Sequence, residues 1–203
     1  RRGSAAPSAP ARWGRRALQS RQGRQSGRRP ARSASTSMPS LPNAARVREA
    51  LARCKLVVVS DCMRRTDTTA YAHVLLPAAA WGEEDGTVTN SERRISRQRA
   101  FLPPPGEAKP DWWAICEVAK RMGLADAFAY DGPAAIFREH AALSGEGNDG
   151  TRAFDISGLV DADYDAMAPV QWPVTAAAPQ GTPRLAEFFT PACTARFVAV
   201  VPR

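Results

Sequence analysis

The rhythm of apolar and polar positions changes several times along this chain, and each change predicts an element. In "PNAARVREALARC" the apolar residues Val47, Ala50, Leu51 and Cys54 recur at helical spacing behind Asn43, which predicts a short helix with Asn43 as its N-cap. "KLVVVSD" follows at once. Its run of Leu56, Val57, Val58 and Val59 is too apolar for a half-exposed strand and predicts one buried on both faces, as in parallel sheets. That strand ends in Ser60-Asp61. "HVLLPAA" then predicts a second short buried strand, stopped by Pro77. Helix, strand, connection and strand in this order imply an open α/β sheet.

Asp85-Gly86 signals a tight turn, predicting a hairpin between "AAWGEE" and "TVTNSERRISRQRAF". "PPPGEAKP" at 103–110 reads as an extended connector held by its prolines. Asp111 is positioned to cap the next helix, where Trp112, Ile115, Cys116, Ala119 and Met122 share a face and Gly123 ends it. A further helix, "PAAIFREHAAL", carries Pro133 in its first turn. Beyond residue 145 the pattern is loop-rich, with short apolar pieces near Ile156, Trp172 and "RFVAVV".

Charge changes this picture in one respect. The chain of 203 residues carries a net charge of +8, but residues 1–48 hold 12 arginines and no acid, while residues 49–203 hold 16 basic against 20 acidic groups. The basic character belongs to a tail, so the pI is no argument for a nucleic-acid-binding domain, and no nucleic-acid partner is expected. Residues 1–37 have little to bury and read as a disordered basic segment. Three origins compete for it: a nucleic-acid or membrane-surface arm, a targeting segment, or out-of-frame translation of GC-rich DNA. The body starting at Met38, the first methionine, favours the last. No apolar run has the length of a membrane span.

Metal and nucleophile chemistry find little support. Cys54, Cys62, Cys116 and Cys193 form no Cys-x-x-Cys pair, and His73 and His140 are the only histidines. The thiols read as incidental groups in a cytoplasmic protein, and neither a catalytic residue nor a metal ligand is assigned. Ser60 and Asp61 are the stronger candidates, because ligands of open α/β sheets sit outside the carboxyl ends of the strands. A carboxylate there accepts two hydrogen bonds from a guanine edge, N1–H beside the N2 amino group; capping of a following turn is the equal alternative. For Asp111, helix capping leads. Glu83, Glu84 and Asp85 read as solvated turn residues, and Arg93 and Arg94 as ion-pair partners of Glu92 or as phosphate ligands.

The stretch from "LVVVSDCMRRTDTTAYAHVLLPAAAWGEEDGTVTNSERRI" through "PPPGEAKPDWWAICEVAKRMG" resembles the molybdopterin oxidoreductases that carry a bis-guanine-dinucleotide cofactor. The ordered signature is V-V-S-D, L-P-A-A-x-W-G-E, G-T-x-T-N-x-E-R-R and P-G-E-A-x-P-D. Within that family it is most similar to the catalytic subunits of bacterial assimilatory nitrate reductases, over roughly residues 40–200, and it resembles the formate dehydrogenases more loosely. The resemblance implies an open Rossmann-like sheet portion over 38–145 that binds part of the dinucleotide, and a truncated loop-rich continuation over 146–203. It implies molybdenum bis(molybdopterin guanine dinucleotide) as cofactor, with a 4Fe-4S cluster held by sequence outside this chain. Nitrate would be the substrate of the full enzyme, and an electron-donor protein or reductase subunit its partner. Ser60, Asp61, Glu84 and Asp111 fall on the cofactor-contacting positions, and the cluster from Asn90 to Arg94 braces the crevice.

The departures are specific. Glu84 stands where the family commonly has lysine, which should weaken the hold on an anionic dinucleotide. His73 replaces the usual aspartate before the second strand, and Ser37 is a poor substitute for the asparagine of a Thr-Asn-Pro turn. The cluster and molybdenum ligands are expected elsewhere, so the chain alone is expected to reduce no nitrate.

Overall fold

The computed structural model describes residues 32–34, 43–182, 188–190 and 192–199. They form two small sheets with helices packed against them. The first sheet is parallel, in the order β1 (Arg32–Ala34), β2 (Val57–Asp61), β3 (Val74–Pro77). The second is antiparallel, in the order β4 (Gly86–Thr89), β5 (Arg94–Gln98), β6 (Val170–Gln171). Helices α1 (Ala44–Ala52), α2 (Asp111–Arg121) and α3 (Pro133–Gly145) complete the regular structure.

β1 lies within the segment that composition reads as disordered. Its backbone pairs in parallel with β2, Arg32 opposite Val57 and Ala34 opposite Val59, which makes β2 the central strand. Backbone pairing needs no apolar side chain, so a composition-based reading misses such a strand. The rest of 1–37, Ser37 included, lies outside the described residues.

α1 forms as its pattern predicts. The Asn43 side chain accepts from the Arg46 amide at 3.4 Å, and Leu51 packs on Val57 and Val59, flanked by Val47, Cys54, Tyr71 and Leu75. Only this face of β2 is sealed, however. Val57, Val59 and Asp61 are buried, while Val58 and Ser60 are half-buried and Leu56 is 41% exposed. The expected burial on both faces is therefore wrong for β2, and more so for β3, an edge strand with Val74 43% exposed. The apolar run marks a parallel strand correctly; how much of it is covered depends on what packs above it.

His73 has an unanticipated structural task at the start of β3. Its Nδ1 accepts from the buried Val57 amide at 3.0 Å, and its own amide donates to Val57 O at 2.9 Å. The histidine thus supplies an acceptor, as an aspartate would. His73→Ala should leave a buried N–H unpaired and destabilise the chain by about 1–3 kcal/mol. His73→Asn should recover most of that in a urea unfolding series; equal losses for both variants would refute the acceptor role.

The hairpin joins β4 to β5, with Thr87 opposite Arg97 and Thr89 opposite Ile95. Its turn is not at Asp85-Gly86, where the dipeptide signal put it, but at Asn90–Arg93. Asn90 Oδ1 accepts from the amides of Glu92 and Arg94, both at 3.0 Å, and Arg93 adopts a left-handed φ of 67°. Gly86 opens β4 instead, and Trp81–Glu83 is a single 3-10 turn rather than a strand. α3 packs Phe137 and Ala141 against Ile95 of β5 and against Ile156, Leu159, Tyr164 and Val174. This second core runs across residue 145, where the loop-rich part was expected to begin.

α2 differs from its predicted face. Cys116 and Ala119 are buried, but Ile115 is 60% and Met122 71% exposed, so its apolar residues line two sides and only one is covered. Gly123, at φ 81°, ends the helix as expected. His140 is exposed and rests its ring on Phe154 at 5.4 Å.

Candidate nucleotide site at the sheet edge

The parallel sheet delivers two chain ends to one edge. β2 finishes at Ser60-Asp61 and β3 at Pro77, and the Ala78 amide donates to Asp61 O at 3.1 Å. The proline-rich connector is tied to this edge by Lys109, whose amide donates to Pro77 O at 3.1 Å and whose carbonyl accepts from Ala79 at 3.0 Å. Proline locks φ and resists helix, so the connector stays extended until Pro110 turns it into α2. Asp111 therefore begins α2 beside the end of β2.

Here the capping expectation fails. Pro110 occupies the N-cap position, Asp111 is the first helical residue, and no side chain caps the helix. The Asp111 carboxylate instead accepts from Ser60 Oγ, across 51 residues of sequence. Asp111 Oδ2 takes no hydrogen bond among the described residues.

Asp61 is only 8% exposed. Its Oδ1 accepts from the Met63 amide at 2.9 Å, so it does brace the following turn. Oδ2 is buried and has no partner among the described residues. A buried acceptor left unsatisfied costs about 1–3 kcal/mol, more when charged, and such atoms are rare enough to need a reason. A ligand that donates hydrogen bonds at this edge is a sufficient one.

Glu84 closes the site from the other sheet. Gln98 Nε2 donates to Trp81 O at 2.7 Å and to Glu84 O at 3.3 Å, and the Ala80 amide donates to Glu83 Oε2 at 2.8 Å. Sequence reasoning missed Gln98, which looks like any polar residue of a strand until the 81–84 turn folds over it. The Glu84 carboxyl is pushed above its usual range, first by desolvation and then by the Asp111 and Glu83 charges, against a lowering contribution from the Asp111 backbone N–H. A carboxyl raised by folding prefers its proton in the native state, so its contribution is present below the unfolded value and lost as pH rises through the folded one. Glu84→Gln should accordingly unfold at higher urea than the parent at pH 7, with the advantage shrinking to nothing as pH falls below the ordinary glutamate range. A constant difference at every pH would exclude this origin.

Comparison with known proteins places the stretch that builds this edge. The molybdopterin oxidoreductase family model matches residues 34–121, from the end of β1 through α2. Over this segment the chain is similar to the molybdopterin oxidoreductases. A nitrate reductase of Klebsiella oxytoca is 61% identical over 132 residues, covering 64% of this chain and 15% of that protein. A nitrate reductase of Shewanella frigidimarina is 48% identical over 166 residues, 77% of this chain and 18% of that protein. A putative formate dehydrogenase of Bacillus subtilis is 46% identical over 102 residues, 50% of this chain and 10% of that protein. The chain thus spans less than a fifth of the length of these relatives.

Molybdopterin oxidoreductases work with a molybdenum–pterin cofactor, and the edge can be tested against the guanine nucleotide that the sequence resemblance implies. A guanine edge presents two parallel donors, and Asp61 presents a carboxylate with one oxygen idle and buried; the two fit. The arginines of the molybdopterin oxidoreductase signature do not join this edge. Arg93 donates to Trp172 O and to Thr182 O at 3.3 Å, with its guanidinium 5.3 Å from the Trp172 ring centre, so it braces the β5–β6 side. Arg94 reaches Gln171 at 3.5 Å. Neither is placed as a phosphate ligand. Among the described residues no group of three His, Cys, Asp or Glu side chains could hold a metal, and no helix is long and apolar enough to cross a membrane.

Proposed function

We propose that this chain is a segment of a molybdenum-dependent nitrate reductase and holds part of a molybdopterin guanine dinucleotide. The observation that carries the reading is the idle, buried Oδ2 of Asp61 at the carboxyl edge of a segment 61% identical to a nitrate reductase. Asp61 would accept from the guanine N1–H and amino group, while Ser60 and Asp111 flank the same nucleoside. Glu84 lies against Asp111 and disfavours added negative charge, which orients the phosphates away from it. The cofactor, when bound, supplies two-electron redox chemistry at molybdenum; the residues of this chain bind and orient its nucleotide end. A second guanine dinucleotide, a 4Fe-4S cluster and an electron-donor protein belong to the full enzyme in this reading. The described cysteines are free thiols, which suits a cytoplasmic enzyme.

The test is calorimetric titration of the chain with GDP and with ADP. GDP should bind about tenfold tighter or better, because adenine offers no paired donors to a carboxylate. Equal affinities, or no binding of either, would overturn the assignment. The identity to a putative formate dehydrogenase supports a second substrate, formate, for the full enzyme. Assay of a full-length enzyme that carries this segment separates the two: nitrite formed from nitrate favours nitrate, and formate oxidation without nitrite formation favours formate.

A further inference from the structure

We propose that the outer flank of β3 is a self-association site, on which β3 of a second copy of this chain adds in antiparallel register and joins the two parallel sheets into one. The inference is independent of the nucleotide reading, since it uses the side of the strand and not its carboxyl end.

The backbone bonds of β3 sort its residues into two sides. The His73 amide donates inward to Val57 O at 2.9 Å, and β3 runs parallel to β2 with Val58 opposite Val74 and Ser60 opposite Leu76. Alternate residues of a parallel strand turn both backbone groups to the same neighbour. His73 and Leu75 therefore face β2, while Val74 and Leu76 turn their N–H and C=O groups outward. β3 is the last strand of its sheet, and among the described residues nothing pairs with these outward groups. Beyond them the flank is closed, because the Lys109 amide donates to Pro77 O and Ala78 bridges to Lys109. The open stretch is Val74 to Leu76, and it contains no charged side chain and no proline to guard it against strand addition.

The register decides what adds there. Antiparallel strands are held where two facing residues exchange both bonds, and the next such pair lies two residues on. Two copies of β3 related by a two-fold axis meet this condition with Val74 opposite Leu76 of the second copy, Leu76 opposite its Val74, and the two Leu75 residues between. Every outward group is then satisfied. The side chains agree with this pairing. Val74, 43% exposed, and Leu76 project on the same face as Val58 and Ser60, so each Val74 is covered by a Leu76. Leu75 projects to the other face, where it already packs on Leu51, Val57 and Val59. A two-fold dimer requires one patch that is complementary to itself, and β3 supplies it.

The test is sedimentation of the full chain over a dilution series, with hydrogen exchange on the same samples. So short a ladder gives a weak dimer, with a dissociation constant of about 10–500 µM. As concentration rises, the Val74 and Leu76 amides should exchange more slowly, while the inward Leu75 amide is slow throughout. Val74→Lys should abolish the dimer and keep the melting temperature of the dilute chain, since that side chain is already half in solvent. Leu76→Glu should also abolish it. Mixing the two variants should restore association, at least about tenfold tighter than either alone, because the register sets the new lysine opposite the new glutamate. Should Leu76→Glu not fold, the amide protection and the Val74→Lys result decide alone. Ile115→Glu, on the exposed stripe of α2, should leave the dimer intact. A chain that stays monomeric up to about 1 mM overturns the proposal. So does a dimer that survives Val74→Lys or is lost to Ile115→Glu, and so do folded mixed variants that fail to associate. Val74 and Leu76 amides protected equally at every dilution overturn it too, because another segment of the chain then covers the flank.

Discussion

Asp61→Asn should cost the chain roughly tenfold to a hundredfold in GDP affinity without destabilising it. The two effects arise from the same atom. In the parent, Asp61 Oδ1 is held by the Met63 amide and Oδ2 is buried without a partner among the described residues. The isosteric amide keeps the Oδ1 contact and replaces the idle charged oxygen by NH2. Removing an uncompensated charge from a buried position relieves desolvation, so the unfolding midpoint in urea should stay level or rise. Binding should move the other way, because NH2 would face the donors of guanine. A structural aspartate behaves oppositely, losing stability and leaving nucleotide affinity alone. Calorimetry and urea unfolding on the same preparation decide between them.

The largest loss of stability is expected at Arg97. Its side chain is only 5% exposed, and the guanidinium lies 4.0 Å from the centre of the Tyr164 ring. It donates to Gly86 O at 2.8 Å and Gln98 O at 2.5 Å, and meets Asp165 at 3.0 Å and Asp85 at 3.5 Å. Asp85 and Asp165 are half or more exposed, so the ion pairs themselves are worth little. The ring contact, the two carbonyls and the filled volume matter more. Arg97→Ala should lower stability by roughly 2–4 kcal/mol. Arg97→Lys should recover less than half, since a point charge neither spreads over the Tyr164 ring nor reaches both carbonyls. Full rescue by lysine would mean that charge alone was at work. Because the hairpin carries Gln98, which holds the 81–84 turn, the same variant should also loosen the wall that presents Glu84.

The exposed side of α2 shows how far periodicity reaches. Ile115, Val118 and Met122 repeat at helical spacing, as do Trp112, Cys116 and Ala119. Both stripes are apolar, so pattern alone cannot say which one a neighbour covers. Packing selects Cys116 and Ala119 and leaves the other stripe in solvent. The hairpin gives a similar lesson. Asp85-Gly86 is the stronger local turn signal, yet pairing of β6 with Arg94 and Ile95 of β5 fixes a register in which the chain reverses at Asn90–Arg93. A turn dipeptide contributes little against a ladder of backbone bonds and a buried Ile95.

Local physics in the sequence determined α1 with its Asn43 cap, α3 with proline in its first turn, the stop of α2 at Gly123, and a parallel strand ending in Ser60-Asp61. Each rests on interactions within a few residues, where side-chain type and spacing leave few alternatives. The site required more. That Asp111 bonds to Ser60 rather than capping its own helix, that Asp61 keeps an idle buried oxygen, and that His73 serves the Val57 amide all depend on groups 16 to 51 residues apart or on burial by other elements. Only the tertiary structure decided these, because a donor or acceptor finds its partner by proximity in space, and proximity across such spans is set by packing.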